Sequence, residues 1–432
     1  MSGFKRQLLR ELPKLVQAGV LSDDVAGRIQ NHYGPPQQGM GRSILLVTFA
    51  VLGGLLLGGG LILILAHNWA AWPRGARAGM SFALLLLGQV AGAWVLQKRR
   101  DNPAWREGVS VFWSLSIGAA IALIAQTYHI PGSFDRFTFT WMVLTLPVAY
   151  LLRATAPAVL YVVGITCWSV ARLDYGFSSQ AYWLLLLPAL PCAVRDLRER
   201  FGGVAATVQI WTLGLSLAVG TGVTLSGAHD GLWLVSYALL FSVFTLVDLT
   251  WFSEQPSLWQ RPLRLGALGV LVIAFMMTYP EVWEEVTWFT PHGSLWFVIP
   301  WVLSAALLMA WVLLLVPTCR RRDRLEWGWL ALPCLAIPGT LVGYWNGGPQ
   351  IAALLSNVYL VLLGVCSITL GFRQASLTRL NVGLLTLGSL IALRFFHDWG
   401  SLVGRGILFM LLGGILLSAN VVIARKKGGR HA

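Results

Sequence analysis

The stretch SILLVTFAVLGGLLLGGGLILILAHNW, from Ser43 to Trp69, decides the fold class of this chain. The 23 residues from Ile44 to Ala66 include no ionisable side chain. As a helix they would extend about 34 Å, and the hydrocarbon core of a bilayer measures about 30 Å. A largely polar segment precedes the stretch, and His67-Asn68-Trp69 follows it in place of a small-residue cleavage site. The pattern therefore predicts a retained transmembrane helix.

The composition of the whole chain indicates a polytopic membrane protein. Apolar residues make up 56% of it and charged residues 12%, against about 25% charged residues in soluble domains. The 21 tryptophans suit the boundary between headgroups and acyl chains. The formal charge is +14, but the basic residues form short clusters between apolar runs, and no nucleic-acid-binding module is readable. The charge thus indicates orientation in a membrane and no nucleic acid partner.

The apolar runs predict an all-helical membrane domain with about fourteen spans. After the first span, helices are expected at residues 76–96, 108–127, 138–152, 155–171, 179–194, 203–225, 231–252, 261–279, 295–316, 327–345, 349–371, 376–396 and 402–424. Lys and Arg in short loops favour the cytoplasmic side. If the N-terminus is cytoplasmic, that side holds 26 of the 32 basic residues. The charges therefore predict both termini inside, as in a multi-pass protein of the bacterial inner membrane.

Three regions are expected along the chain: a cytoplasmic helical hairpin at 1–42, the membrane domain at 43–424 and a basic cytoplasmic tail at 425–432. In the hairpin, the run from Phe4 to Ala18 has one apolar helix face, and Gly19 suits its C-cap. Asp23 and Asp24 favour the start of a second helix that ends near Tyr33. We interpret this hairpin as an amphipathic segment on the membrane surface. A regulatory or dimerising role is the alternative.

Polar side chains gather at the helix ends on the predicted outer side, where five of the seven histidines lie. Such groups suit a proton relay, a cation site or a surface that binds a phosphate or sugar headgroup. An ordinary polar loop is the competing explanation. Arg394 lies just inside the outer interface, where it needs a carboxylate such as Asp398 or Asp135, a carbonyl or a ligand. The candidate substrate-binding residues are His67, Asn68, Gln126, Tyr128, His129, Arg394 and His397.

Within the spans, the sequence places a few polar residues and prolines. Interhelical hydrogen bonding is expected for the buried polar group of Gln89, Gln209, Asp248 and Asn357. Asp248 lies near the cytoplasmic end of its span, where water can also reach it. A proline removes a backbone donor and frees a carbonyl, so broken helices that border a cavity are expected at Pro147, Pro188, Pro191, Pro333 and Pro338.

Several segments of the chain are similar to a known family. They are Leu15 to Ser22, Ala66-His67-Asn68-Trp69, Ala125 to Ile130, Trp141 with Leu146 to Arg153, and Arg379-x-Asn381-x-Gly383 with Leu393 to Phe396. They resemble a bacterial family of predicted multi-pass membrane proteins that carries a domain of unknown function. The resemblance implies architecture and location, and it implies no activity, cofactor or catalytic residue.

Missing motifs narrow the functional classes. The sequence has no GxxxxGK[ST] loop, serine nucleophile elbow, EF-hand or HExxH. We therefore assign no catalytic residue, cofactor or metal site, and favour a protein that is not an enzyme. The favoured hypothesis is a transporter or flippase-like carrier of an amphipathic or lipid-linked envelope substrate, with an outward-facing polar cavity. The alternatives are a transferase acting on outer-leaflet lipid with Asp135 or Glu284 as base, and a scaffold or sensor that binds membrane proteins or a second copy.

Overall fold

A computed structural model describes most of the chain. It covers residues 15–17, 19–33, 48–60, 72–173, 180–200, 202–226, 230–252, 264–284, 298–321, 324–343, 347–374 and 376–398, with the single residues 12, 63, 261, 410 and 414. These residues form helices and connecting turns, and no β-strand occurs among them. The predicted all-helical class is confirmed for this part of the chain.

The described part of the N-terminal hairpin has the predicted turn. A helical turn at Leu15–Gln17 is followed by Gly19, whose φ of 69° lies in the left-handed region that glycine adopts at helix C-caps. The N–H of Val20 donates to the Leu15 carbonyl at 3.0 Å. Helix α1 then runs over Asp23–Tyr33. The C-cap at Gly19 and the start of the second helix are therefore confirmed, and residues 1–11 lie outside the described residues.

The chain divides into two compact units, residues 1–130 with 150–157 and residues 131–149 with 158–432. The first unit contains α2 (Thr48–Gly60), α3 (Arg74–Lys98) and α4 (Pro103–Tyr128).

Asn102 is the N-cap of α4. Its Oδ1 accepts the N–H of Ala104 at 3.0 Å, and Pro103 takes the first helical position.

Glycines allow the helices of the first unit to pack closely. A Cβ on Gly54 would lie 2.9 Å from the carbonyl oxygen of Gly108, which is below any normal contact. Gly92 faces the indole of Trp113, and a Cβ there would lie 2.7 Å from the ring. Small residues at these positions bring the helix backbones together, as in other membrane bundles.

Arg106 and Glu107, near the start of α4, bind the backbone of the connection at residues 152–156. The Glu107 carboxylate accepts the N–H of Thr155 and that of Ala156, each at 2.8 Å. Nε of Arg106 donates to the Leu152 carbonyl at 2.6 Å, and its Nη2 donates to the carbonyl of Arg153. The anion thus binds N–H groups at the start of one helix, and the cation binds carbonyls just after the end of another.

Most helices belong to the second unit. Two of them share a few residues with the first unit at their ends, α5 (Phe134–Leu151) and α6 (Ala156–Ala171). The others are α7 (Tyr182–Leu186), α8 (Leu190–Arg200), α9 (Val204–Leu225), α10 (Asp230–Val247), α11 (Leu265–Met276), α12 (Pro280–Glu284), α13 (Val298–Arg321), α14 (Leu332–Val342), α15 (Gly348–Arg373) and α16 (Leu377–Asp398).

Helix α10 lies at the centre of the second unit, where it packs against α11, α13 and α14. It continues into a π-helical turn at Asp248–Phe252. Among the described residues, the largest fully buried side chain is Trp283 of α12, which is 1% exposed and donates its indole N–H to the Met277 carbonyl at 2.7 Å. The core of this unit is therefore built around α10 and one buried indole.

Several helices have the length and apolar character needed to cross a membrane. By these two criteria the described residues contain six such helices: Arg74–Lys98, Pro103–Tyr128, Val204–Leu225, Gly231–Phe252, Val298–Val316 and Gly348–Arg373. Five shorter apolar helices accompany them: Thr48–Gly60, Ala156–Ala171, Leu265–Met276, Leu332–Val342 and Leu377–Leu393. The total of fourteen spans and the positions of the termini stay predictions.

Candidate functional site

Three of the seven candidate residues lie together at the end of α4. Gln126, Tyr128 and His129 are all exposed, with Tyr128 at 56%. His129 ends the helix in the left-handed conformation, with φ of 51°, and its N–H donates to the Ala125 carbonyl. A left-handed residue that is not glycine is uncommon, and it turns the chain sharply here. The exposed side chains of Gln126, Tyr128 and His129 are therefore accessible to a ligand.

The other four candidates are less fully placed. His67 and Asn68 lie outside the described residues. Arg394 and His397 belong to the last turns of α16, and the description there covers the backbone alone. That the seven side chains converge on one cavity stays a prediction.

Asp135 and Arg172, on the predicted outer side, form an ion pair. Nη1 of Arg172 donates to Oδ2 of Asp135 at 2.9 Å, and the guanidinium lies 5.6 Å from the ring centroid of Trp168. A hydrogen bond from the Ser133 hydroxyl, aided by the charge of Arg172, holds the pKa of Asp135 below its ordinary value of 3.8. A carboxylate with a lowered pKa is a weak general base, which argues against the transferase alternative at this residue.

Replacing Asp135 with Asn should remove part of the acid sensitivity of the protein. Because the folded-state pKa of Asp135 is lowered, its ionisation stabilises the fold above the unfolded value of 3.8. That contribution is lost as the pH falls through the folded value. We expect the thermal stability of Asp135→Asn and wild type to differ at neutral pH and to converge as the pH falls below the folded-state pKa, which is lower than 3.8. Thermal unfolding followed by circular dichroism measures this, and a constant difference at all pH values would contradict it.

The control for this variant is Asp101→Asn. The side chain of Asp101 is exposed. Its removal breaks no described ion pair and should change the melting temperature at neutral pH by less than Asp135→Asn does.

Two breaks between helical segments of the second unit lie at Pro188 and next to Pro333, as predicted for these two residues. Between α7 and α8 a 3₁₀ turn at Leu187–Ala189 contains Pro188. A longer 3₁₀ segment at Arg324–Leu330 precedes α14, which has Pro333 in its first turn and Pro338 inside. The expectations for Pro147 and Pro338 are wrong, because each residue lies inside a continuous helix, Pro147 in α5 and Pro338 in α14.

Aromatic donors from neighbouring helices satisfy carbonyls at both breaks. The Tyr161 hydroxyl donates to the Leu185 carbonyl at 2.6 Å. At the second break the Tyr359 hydroxyl donates to Gly328 at 2.9 Å, and the Trp311 indole donates to Leu330 at 3.1 Å. Non-helical backbone at membrane depth is tolerated where protein groups satisfy it in this way.

Buried polar side chains surround the first break. Ser216 of α9 lies 2.6 Å from the hydroxyl of Thr166 and 2.6 Å from that of Tyr182. The indole of Trp183 donates to the Thr224 hydroxyl at 2.8 Å. Three helices, α6, α7 and α9, thus share one polar network.

Gln209, also on α9, has both amide atoms buried without a hydrogen-bond partner among the described residues. Interhelical hydrogen bonding was expected for this residue, and the described residues supply none. The hydroxyls of Thr145, Thr221 and Ser242 are also buried without a hydrogen-bond partner among the described residues. Buried polar groups are rarely left unsatisfied, so these atoms are exceptions among the described residues.

The remaining polar residues within the spans differ in their surroundings. Asn357 donates to the carbonyl of Thr278, in the turn after α11, at 3.3 Å, so its amide bonds outside its own helix, to a turn and not to a helix. Gln89 is exposed. Asp248 is buried and bonded to Arg261, so the expectation that it meets water is wrong.

The apolar helices, their length and their close packing define an α-helical integral membrane protein. Residues 13–158 match the model of a family described as "Predicted membrane protein (DUF2157)", a family of unknown function. The resemblance to a family of predicted membrane proteins is therefore confirmed over this segment. No curated protein and no solved structure matches the chain.

Proposed function

We propose that this protein is a carrier of an amphipathic or lipid-linked envelope substrate in the bacterial inner membrane, with an outward-facing polar cavity. The observation that carries the proposal is the pair of broken helices in the second unit, one of which borders the network of Thr166, Tyr182 and Ser216. Discontinuous helices beside polar groups occur at the substrate sites of transporters. The amide of Gln209, which has no partner among the described residues, supplies a further donor and acceptors on the same helix as Ser216.

In this proposal the outer residues His67, Asn68, Gln126, Tyr128, His129, Arg394 and His397 receive the headgroup of the substrate. A guanidinium and imidazoles bind phosphate or sugar hydroxyls, while the apolar helix faces accept a lipid chain. Among them, Gln126, Tyr128 and His129 are exposed at one helix end, which supports a contact with a ligand.

The test is a deletion strain complemented with wild type, His129→Ala, Arg394→Ala or the control Arg74→Ala. Arg74 is exposed and lies on the same predicted side of the membrane. A lipid and metabolite profile of each strain identifies the accumulated substrate. We expect the two site variants to reproduce the deletion profile at normal abundance and Arg74→Ala to restore the wild-type profile. Normal profiles for both site variants would refute the site.

The topology of fourteen spans with both termini in the cytoplasm is also a proposal. It places the loop around Arg320 to Arg324 in the cytoplasm. A single cysteine introduced in that loop should resist a membrane-impermeant maleimide in intact cells and react after the membrane is opened. Labelling in intact cells would show that this loop is outside the cell. It would contradict the predicted topology and the outer cavity that depends on it.

A further inference from the structure

Polar side chains beside the break between α7 and α8 lie along α9. The break is the 3₁₀ turn at Leu187–Ala189. Just before it, the hydroxyl of Tyr182 is bonded to Ser216 of α9, and the indole of Trp183 donates to the hydroxyl of Thr224 of α9. Two hydrogen bonds between side chains thus join α9 to the segment that leads into the break.

Gln209 continues the same face of α9 towards the predicted inner side. It precedes Ser216 by two helical turns, and it precedes Leu213, whose side chain packs against the core around Tyr182, by about one turn. Gln209 is 0% exposed, and neither atom of its amide has a hydrogen-bond partner among the described residues. From Thr224 to Gln209 the polar face is about 22 Å long, which is a large part of the hydrocarbon core.

A second polar group without a partner flanks the break from α5. Thr145 lies about one turn after Met142, which packs against Tyr161 in the same core. The hydroxyl of Tyr161 donates to the Leu185 carbonyl beside the break. Thr145 is 0% exposed, and its hydroxyl has no partner among the described residues. A buried polar group that is left unpaired costs free energy, so a bound group that pairs it gains in affinity.

The hydroxyl chain at the break has one direction. Thr166 donates its single hydroxyl proton to the Val162 carbonyl at 2.7 Å. Its oxygen therefore accepts the proton of Ser216, and Ser216 accepts the proton of Tyr182, at 2.6 Å in each case. The phenolic oxygen of Tyr182 only donates within this chain, so it keeps the capacity to accept a hydrogen bond.

These groups require both donors and acceptors from a ligand. Gln209 offers N–H donors and a carbonyl oxygen, Thr145 offers a hydroxyl, and Tyr182 accepts. An ionised phosphate diester can only accept hydrogen bonds, and an ammonium group can only donate them. A hydroxyl does both, so a group with several hydroxyls is the best complement.

The helices around the break carry little charge. Helices α6, α7 and α9 contain no Asp, Glu, Lys or Arg. The charged residues of α5 are Asp135 and Arg136 in its first turn, and those of α8 begin at Arg195, more than one turn after the break. Asp135 is paired with Arg172, and Arg195 with Asp196. A charged ligand group at the break would be buried without a counterion, at a large cost in free energy.

We propose that the break between α7 and α8 and the facing side of α9 bind an uncharged group with several hydroxyls, either the sugar headgroup of a glycolipid or a free sugar. The ring hydroxyls of such a group pair Gln209 and Thr145, and one of them donates to Tyr182. The inference names the substrate class of the proposed carrier and rests on that proposal for the movement of the substrate. Binding to the purified protein tests it apart from movement.

The test uses the purified full-length protein in lauryldimethylamine oxide, a detergent without a sugar. Native mass spectrometry compares the binding of monoglucosyldiacylglycerol, diacylglycerol and phosphatidic acid, which present a neutral sugar, a single hydroxyl and an anion. In a second arm glucose is added, and the melting temperature is followed by circular dichroism. The variants are Gln209→Leu and Thr145→Val, and the matched control is Gln89→Leu, which replaces an exposed glutamine of α3.

We expect the wild type to bind monoglucosyldiacylglycerol about tenfold more tightly than either other lipid. Gln209→Leu should weaken this binding about tenfold and Thr145→Val about threefold, as the loss of one or two hydrogen bonds implies, while Gln89→Leu should bind as the wild type does. Without ligand, Gln209→Leu should melt at or above the wild-type temperature, because leucine removes two buried groups that have no partner. A glutamine with a purely structural role would lower that temperature when it is replaced.

The two arms distinguish the source of the sugar. Binding of the glucosyl lipid that Gln209→Leu loses identifies a glycolipid headgroup, and a melting temperature that glucose raises in the wild type and not in Gln209→Leu identifies a free sugar. The inference is overturned if Gln209→Leu equals the wild type in both arms, if it melts well below the wild type without ligand, or if phosphatidic acid binds more tightly than the glucosyl lipid. The carrier proposal fails separately, if the deletion strain keeps a wild-type lipid profile although the purified protein binds the sugar.

Discussion

Replacing Glu107 with Ala is expected to lower the free energy of unfolding by about 3 kcal/mol, since two hydrogen bonds to one charged acceptor are lost together. The Glu107 carboxylate is buried and accepts the N–H groups of Thr155 and Ala156, each at 2.8 Å. Without it the first donors of α6 have no side-chain acceptor, and the favourable charge at that helix N-terminus disappears. The Gln variant keeps one acceptor oxygen and should lose about half as much.

Unfolding by sodium dodecyl sulfate in mixed micelles, followed by tryptophan fluorescence, measures this loss. The matched control is Asp101→Ala, which removes an exposed carboxylate close to the same helix start and should change stability by less than about 0.5 kcal/mol. Equal losses for Glu107→Ala and Asp101→Ala would contradict the assigned role.

The same contacts show what the sequence predicts about this fold and what it misses. Charges at the ends of apolar runs predicted α3 and α4 at 76–96 and 108–127, and the helices run over Arg74–Lys98 and Pro103–Tyr128. The start of α4 was placed five residues late because Arg106 and Glu107 are charged, although Asn102 and Pro103 carry a readable cap signal. That the two charges bind residues 152–156 was not readable, because the partners are more than 40 positions away.

For the candidate site, local patterns were predictable and long-range pairs were not. The end of α4 at Tyr128 follows from its polar residues, and Pro188 and Pro333 marked the breaks correctly. By contrast, Asp135 was considered as a partner for Arg394, and it binds Arg172. Several arginines on the same side of the membrane could pair with a given carboxylate. Which of them is close enough depends on how the helices pack, and the sequence does not show this packing.

Replacing Trp283 with Ala is expected to destabilise the second unit by about 4 kcal/mol, within the usual range for a buried aromatic residue. The indole is 1% exposed, packs against α14 and donates to the Met277 carbonyl. Its removal leaves a cavity and an unpaired carbonyl. Trp251→Ala is the control, since that side chain is 58% exposed, and its loss should cost less than about 1 kcal/mol. The same detergent titration compares them, and a similar loss for the two would contradict the buried position of Trp283.

The contact between Trp283 and Gly339 allows a double-mutant test of the same prediction. A Cβ on Gly339 would lie 2.5 Å from Cη2 of the indole, so Gly339→Ala alone should cost about 2 kcal/mol through overpacking. In the Trp283→Ala background the same methyl group enters the cavity, and alanine also favours the helix by about 1 kcal/mol relative to glycine. Gly339→Ala should therefore destabilise the wild type and stabilise the Trp283→Ala variant. A cycle in which Gly339→Ala costs the same in both backgrounds would show that the two residues do not touch.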